Sequence, residues 1–176
     1  MNLNHLIPMK RLFFTLAVLL GTGLGASAQI HKFGHINSAE LLQSLPQTRQ
    51  ADSTLKKYGE SLEGQLSVMT NEYKTKVQAY QSAMDSLPDA IRSTKERELQ
   101  DLGSRIEGFR DNAQESIQKK KEELYTPILK KAEDAIKEVA KEKGYAYIFD
   151  TSSGSFLYAQ DSDNILDFVK TKLGLK

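Results

Sequence analysis

Between Ala51 and Leu87, apolar side chains recur at Ala51, Leu55, Tyr58, Leu62, Leu66, Met69, Tyr73, Val77, Tyr80, Met84 and Leu87, with polar residues filling the intervals. The steps alternate between threes and fours and average 3.6 residues, the period of a straight helix rather than the 3.5 of a left-handed heptad coil. No proline interrupts the run. At about 1.5 Å per residue it predicts an arm about 60 Å long. Ser86-Leu87-Pro88-Asp89 is the turn signal in mid-chain: Pro88 suits the first position of a new helix and Asp89 its positive end. A second stripe follows at Ile91, Leu99, Leu102, Ile106, Phe109, Ala113, Ile117, Leu124, Ile128, Ala132, Ile136 and Val139. It is thinner than the first, because Lys95, Lys120 and Lys121 occupy positions where it should continue. The two stripes predict a helical hairpin over 47–144 with its tip near 86–89.

The flanks follow a different pattern. Residues 32–37 read as a short strand, after which Asn37 caps a helix with Glu40 three residues on. Leu41, Leu42 and Leu45 give that helix an apolar face, and Pro46 interrupts or restarts it. Gly144 is placed to end the long second helix. Tyr145 to Asp150, the turn Thr151-Ser152-Ser153-Gly154, and Phe156 to Ala159 then read as a β-hairpin with apolar residues on both faces. Ser162 or Asp163 is placed to cap a last helix through Ile165, Leu166, Val169 and Leu173. The fold class is α+β, mostly α: a small body of three short strands (29–46 and 145–176) carrying a long coiled arm. Such a body is too small to bury both faces of its sheet alone, so copies of the same chain are expected to cover it.

The amino terminus carries another signal. Met9-Lys10-Arg11 precedes an apolar run from Leu12 to Leu20, then small residues ending in Ala26-Ser27-Ala28. This is the layout of a cleaved secretory signal over 1–28, and its apolar run is short of the roughly 20 residues that span a bilayer. Cleavage removes Lys10 and Arg11 and no acid, so the formal charge of the chain falls from +1 to −1. That balance speaks against nucleic-acid binding. The chain has no cysteine, which excludes a disulfide scaffold, a thiolate metal site and a cysteine nucleophile. No stable membrane insertion is expected after cleavage.

The order of elements resembles that of the Skp/OmpH family of periplasmic chaperones. The matching stretches are Phe33-Gly34-His35-Ile36-Asn37 and the helix-to-strand segment from Ala135 to Phe149-Asp150. The resemblance implies a periplasmic homotrimer whose strands form a shared body. Three hairpin arms would project around a cavity that holds unfolded outer-membrane β-barrel proteins without ATP, and no cofactor is implied. In one respect the chain departs from the family's well-known, strongly basic members: residues 47–87 carry 5 basic and 5 acidic side chains, and 88–144 carry 13 of each.

On this reading the body would assemble through Phe33, Ile36, Tyr147, Ile148, Phe149, Phe156, Leu157, Tyr158, Ile165, Leu166 and Val169. Client contact is expected toward the tip, at Val68, Met69, Tyr73, Ala79, Tyr80, Ala83, Met84, Leu87 and Ile91, since tyrosine and methionine suit promiscuous surfaces. Gly103, Gly108 and Pro127 are candidate bending points, with a kink expected near Glu123. The alternative is a non-enzymatic adaptor that docks one folded envelope partner through its arm tips.

Catalytic motifs do not survive inspection. Phe149-Asp150-Thr151 resembles the aspartic-protease segment, but that chemistry needs two carboxylates sharing a proton on a large β fold. His31 and His35 are four residues apart on a predicted strand, about 13 Å, too far for one metal. Both are expected to be exposed or at the rim. No enzyme activity is expected.

Overall fold

The computed structural model describes residues 31–175, so the expected signal segment 1–28 lies outside the described residues. The elements run β1 (Lys32–Ile36), α1 (Ser38–Ser44), α2 (Pro46–Ala83), a 3₁₀ turn (Met84–Ser86), α3 (Asp89–Lys143), β2 (Tyr145–Asp150), a second 3₁₀ turn (Asp161–Asp163) and α4 (Leu166–Lys172).

Local chemistry sets these boundaries. Asn37 is extended, and its Oδ1 accepts the Glu40 N–H at 3.1 Å, the cap that starts α1. Pro46 opens α2, where its missing N–H costs nothing. The tip is closed by a 3₁₀ turn and by Pro88 in extended conformation, after which α3 begins at Asp89. Gly144 ends α3 in the left-handed conformation at φ 70°, its N–H reaching back to the Ala140 and Lys141 carbonyls. Pro127 lies inside α3, which runs unbroken from Asp89 to Lys143.

The sheet differs from the expected one. β1 pairs with β2 in parallel, Phe33 opposite Tyr147, Gly34 opposite Ile148 and His35 opposite Phe149. Parallel neighbours need a long crossover, and here the whole helical arm supplies it. The strand expected at Phe156–Ala159 does not form: the described residues contain a two-stranded sheet, and 151–160 holds only turns and bends. Thr151 instead donates to the Ile36 carbonyl at 2.9 Å, and Gly154 turns at φ 70°, so the chain leaves β2 without folding back along it. The segment returns at Asn164, which bridges to His35, and the Ile165 N–H bonds the His35 carbonyl at 3.0 Å. The last helix is also capped differently. Asn164 Oδ1, not Ser162 or Asp163, accepts the Leu166 N–H at 2.9 Å.

One core sits at the root of the arm. Ile36 from β1, Leu41 and Leu45 around α1, and Ile165, Leu166 and Val169 around α4 pack with Ala51 of α2 and with Ile128, Ala132, Ala135 and Val139 of α3. Farther out on α3 only Leu102 and Ile106 are buried, and they stand apart from this core.

Candidate functional site

Two surfaces stand out, and the first is a face of the sheet. Gly34 is buried on the core side, where the Ile148 Cδ1 and the Tyr145 ring lie 2.9 Å from the place a Cβ would occupy. With no side chain there, the body closes on Ile36, Ile148 and Tyr145. The opposite face carries Phe33, Tyr147 and Phe149. Phe33 stacks on Tyr147 at 5.6 Å and on Phe149 at 6.2 Å between ring centroids, and Phe156 tilts against Phe149 at 5.2 Å. Stacking does not hide them: Tyr147 keeps 57% of its surface in solvent and Phe33 49%. The strap beyond β2 adds Leu157 and Tyr158, both almost fully exposed.

The residues named from sequence for the body therefore divide. Ile36, Ile165, Leu166 and Val169 are buried inside the chain's own core, and Ile148 packs against it. Phe33, Tyr147, Phe149, Phe156, Leu157 and Tyr158 form one solvent-facing apolar patch.

A polar clamp holds the edge of this patch. The Asp150 carboxylate accepts from Ser38 Oγ at 2.6 Å, from the Ser38 N–H at 3.2 Å and from the Ser152 N–H at 2.9 Å. Partial burial pushes its pKa up, but these donors outweigh that and hold it down at about 2. The carboxylate thus ties the end of β2 to the first turn of α1. Sequence reasoning treated Asp150 only as a hairpin residue; the available signal was an acid closing a strand two residues before Ser152, the pattern of an Asx turn. His35 is likewise not a free rim residue, since its Nε2 donates to the Gln160 carbonyl at 3.0 Å and steadies the strap. His31 is exposed.

The second surface is the arm. Met69, Tyr73, Tyr80, Ala83 and Leu87 are half-buried between α2 and α3, whereas Val68, Ala79, Met84 and Ile91 face solvent. Tyr73 lies 3.8 Å from the Cβ position of Gly103. Tyr80 donates to Glu96 Oε1 at 2.6 Å, a bond to a carboxylate that raises the phenol's pKa. At the root, Tyr125 donates to Asp52 in the same manner. Tyrosines whose rings pack between helices while their hydroxyls bond carboxylates set the register of the arm at both ends. Ile117 and Leu129 are further exposed apolar residues that the sequence pattern had assigned to, or passed over beside, the inter-helix stripe.

Charges on the arm are paired along each helix. Lys56 meets Glu60 at 3.8 Å, Lys76 meets Glu72 at 3.7 Å, Arg110 meets Glu107 at 2.6 Å and Lys130 meets Asp134 at 3.1 Å. Such exposed pairs contribute about 0.2–0.5 kcal/mol each and keep the surface solvated without a field of one sign. Among the described residues there is no group of three or more potential metal ligands, and no helix long and apolar enough to cross a membrane.

Comparison with known proteins fits this geometry. A family profile described as outer membrane protein (OmpH-like) matches residues 32–173. The chain is similar to the chaperone protein Skp of Pectobacterium atrosepticum, 27% identical over 157 residues covering 86% of this chain and 93% of that protein. It is also similar to the chaperone protein Skp of Yersinia enterocolitica, 27% identical over 154 residues covering 85% and 91%. Among solved structures, an OmpH-like outer membrane chaperone from Caulobacter crescentus superposes with a TM-score of 0.72 at 12% identity, covering 82% of this chain and 84% of that one.

Proposed function

The chain belongs to the OmpH-like outer membrane protein family, and from that premise we propose that it is an exported, ATP-independent holdase. It works in the periplasm after loss of residues 1–28, as a homotrimer that keeps unfolded outer-membrane β-barrel proteins from aggregating. The observation that carries this reading is the bare aromatic face of the body, Phe33, Tyr147, Phe149 and Phe156, placed opposite a complete core. Covering it with other copies stabilises the assembly by about 2 kcal/mol per large ring buried. The arms of those copies are then held around one shared space.

Within that space the mechanism is non-specific apolar contact. Val68, Met84, Ile91, Ile117 and Leu129 are exposed at intervals along the whole arm rather than gathered at its tip. Many weak contacts of about 25 cal/mol per Å² retain an unfolded chain without reading its sequence. The balanced charge of the arm keeps the outside in water and gives clients no electrostatic trap. This distribution favours a holdase over an adaptor docking one folded partner through the tip. The mechanism calls on no cofactor and no catalytic step.

The test is to dilute a urea-unfolded β-barrel protein into nucleotide-free buffer with the mature chain and follow turbidity. Suppression at near-stoichiometric trimer is expected. Unchecked aggregation with several barrel clients overturns the reading.

A further inference from the structure

The interface between α2 and α3 is not uniformly filled. Near the root it is closed by Ala51 and by Ile128, Ala132, Ala135 and Val139, with Tyr125 bonded to Asp52. Toward the tip it is closed again by Leu102 and Ile106 and by the bond from Tyr80 to Glu96. Between these blocks no described residue of either helix is buried over 52–66 or 107–127. There the helices enclose an open groove of about 650 Å³ lined by Gly59, Leu62, Leu66, Phe109, Ala113 and Ile117. Ala113 is too short to reach the two leucines, and Ile117 keeps 37% of its surface exposed. Gly59, Gly64 and Gly108 fall in or beside this stretch, and a Cβ at each would meet nothing within 4 Å.

Glycines that open space does not require weaken a helix by about tenfold in local stability per pair relative to alanine. An unfilled interface removes the tertiary contacts that would compensate. Pro127 lies on the other side of the balance, beside the buried Ile128 and within an unbroken helix.

We infer that the arm bends in its middle, at 59–66 against 109–118, with the root and the tip moving as two stiff blocks. The hairpin beyond this point is about 30 Å long at 1.5 Å per residue. A bend of about 20° therefore swings the tip by about 10 Å. The inference rests on the holdase reading for its use, which is to fit one cavity to clients of different size. It locates the soft point at the groove, away from Pro127.

Hydrogen exchange on the full mature protein, without client, tests it. Amides in 58–66 and 109–118 should exchange at least about tenfold faster than those in 99–106 and 128–139. The chain contains no cysteine, so spin labels at Gln43→Cys and Asp85→Cys report the root-to-tip distance cleanly, with labelled copies diluted into unlabelled protein. Gly59→Ala with Gly108→Ala, and separately Ala113→Leu, should each narrow that distance distribution by about half and slow mid-arm exchange by about fivefold. The glycine pair enters open space, so it provides a folded variant even if the leucine disturbs the helix. Uniform protection along the arm, fastest exchange around Pro127, or an unchanged distribution in the glycine variant overturns the inference. None of these readouts involves a client, so failure of the holdase reading leaves them standing and is recognised separately.

Discussion

Single residues hold the body together in ways that can be measured one at a time. Asp150 has a folded-state pKa of about 2 against an ordinary value of 3.8, because Ser38 and Ser152 donate to it. A depressed carboxyl pKa gives stability that is fully present above about pH 4 and is lost as pH falls toward 2. As the group is largely exposed, solvent screening reduces the contribution to on the order of 1 kcal/mol. Asp150→Asn should therefore lower the urea midpoint at pH 7 and flatten its fall between pH 4 and 2. Equal midpoints for the two proteins at pH 7 would show that the clamp contributes nothing. Gly34 is more demanding, with atoms of Ile148 and Tyr145 already 2.9 Å from the Cβ position. Gly34→Ala should cost about 1–3 kcal/mol through forced repacking, seen as a drop in unfolding midpoint while Gly108→Ala shows none.

At the scale of elements, termination matters as much as propensity. Gly144 turns the chain from α3 into β2 at φ 70°, a region where a Cβ is strained. Gly144→Ala should cost about 1 kcal/mol and lower the melting temperature by about 3 °C in circular dichroism. The missing third strand belongs to this scale too. Phe156 to Ala159 has strand composition, but one edge of β2 is taken by β1 and the chain turns away at Gly154. Strand composition alone did not disclose that β2 pairs with a segment more than a hundred residues earlier. Helix ends, by contrast, were legible, because Asn37, Pro46, Pro88 and Gly144 each act on backbone groups within a few residues.

For the whole molecule, the two faces of the sheet make opposite predictions. Tyr147→Asp with Phe149→Asp places charge on the bare aromatic face, and it should yield folded monomer by light scattering with unchanged helix content. Ile165→Asp places charge in the chain's own core, where the residue has no exposure, and should unfold the body outright. A double variant that keeps the mass of the parent protein would refute self-association through this face.

The sequence alone determined the helical hairpin, its tip, the caps and the apolar character of the body, since period and capping are local properties of a chain. It also carried the family resemblance, through the segments around β1 and β2. Only the tertiary structure decided which apolar residues are already satisfied. Ile36 and Phe33 look alike in sequence, yet one is buried at 2% exposure and the other is open at 49%. Parallel pairing of distant strands assigns the faces, and the packing of α1 and α4 on one of them leaves the other bare. The arm follows the same logic. Its stripe is continuous in sequence, but the fit between a leucine and the alanine facing it depends on how two helices lie together, and no single helix encodes that.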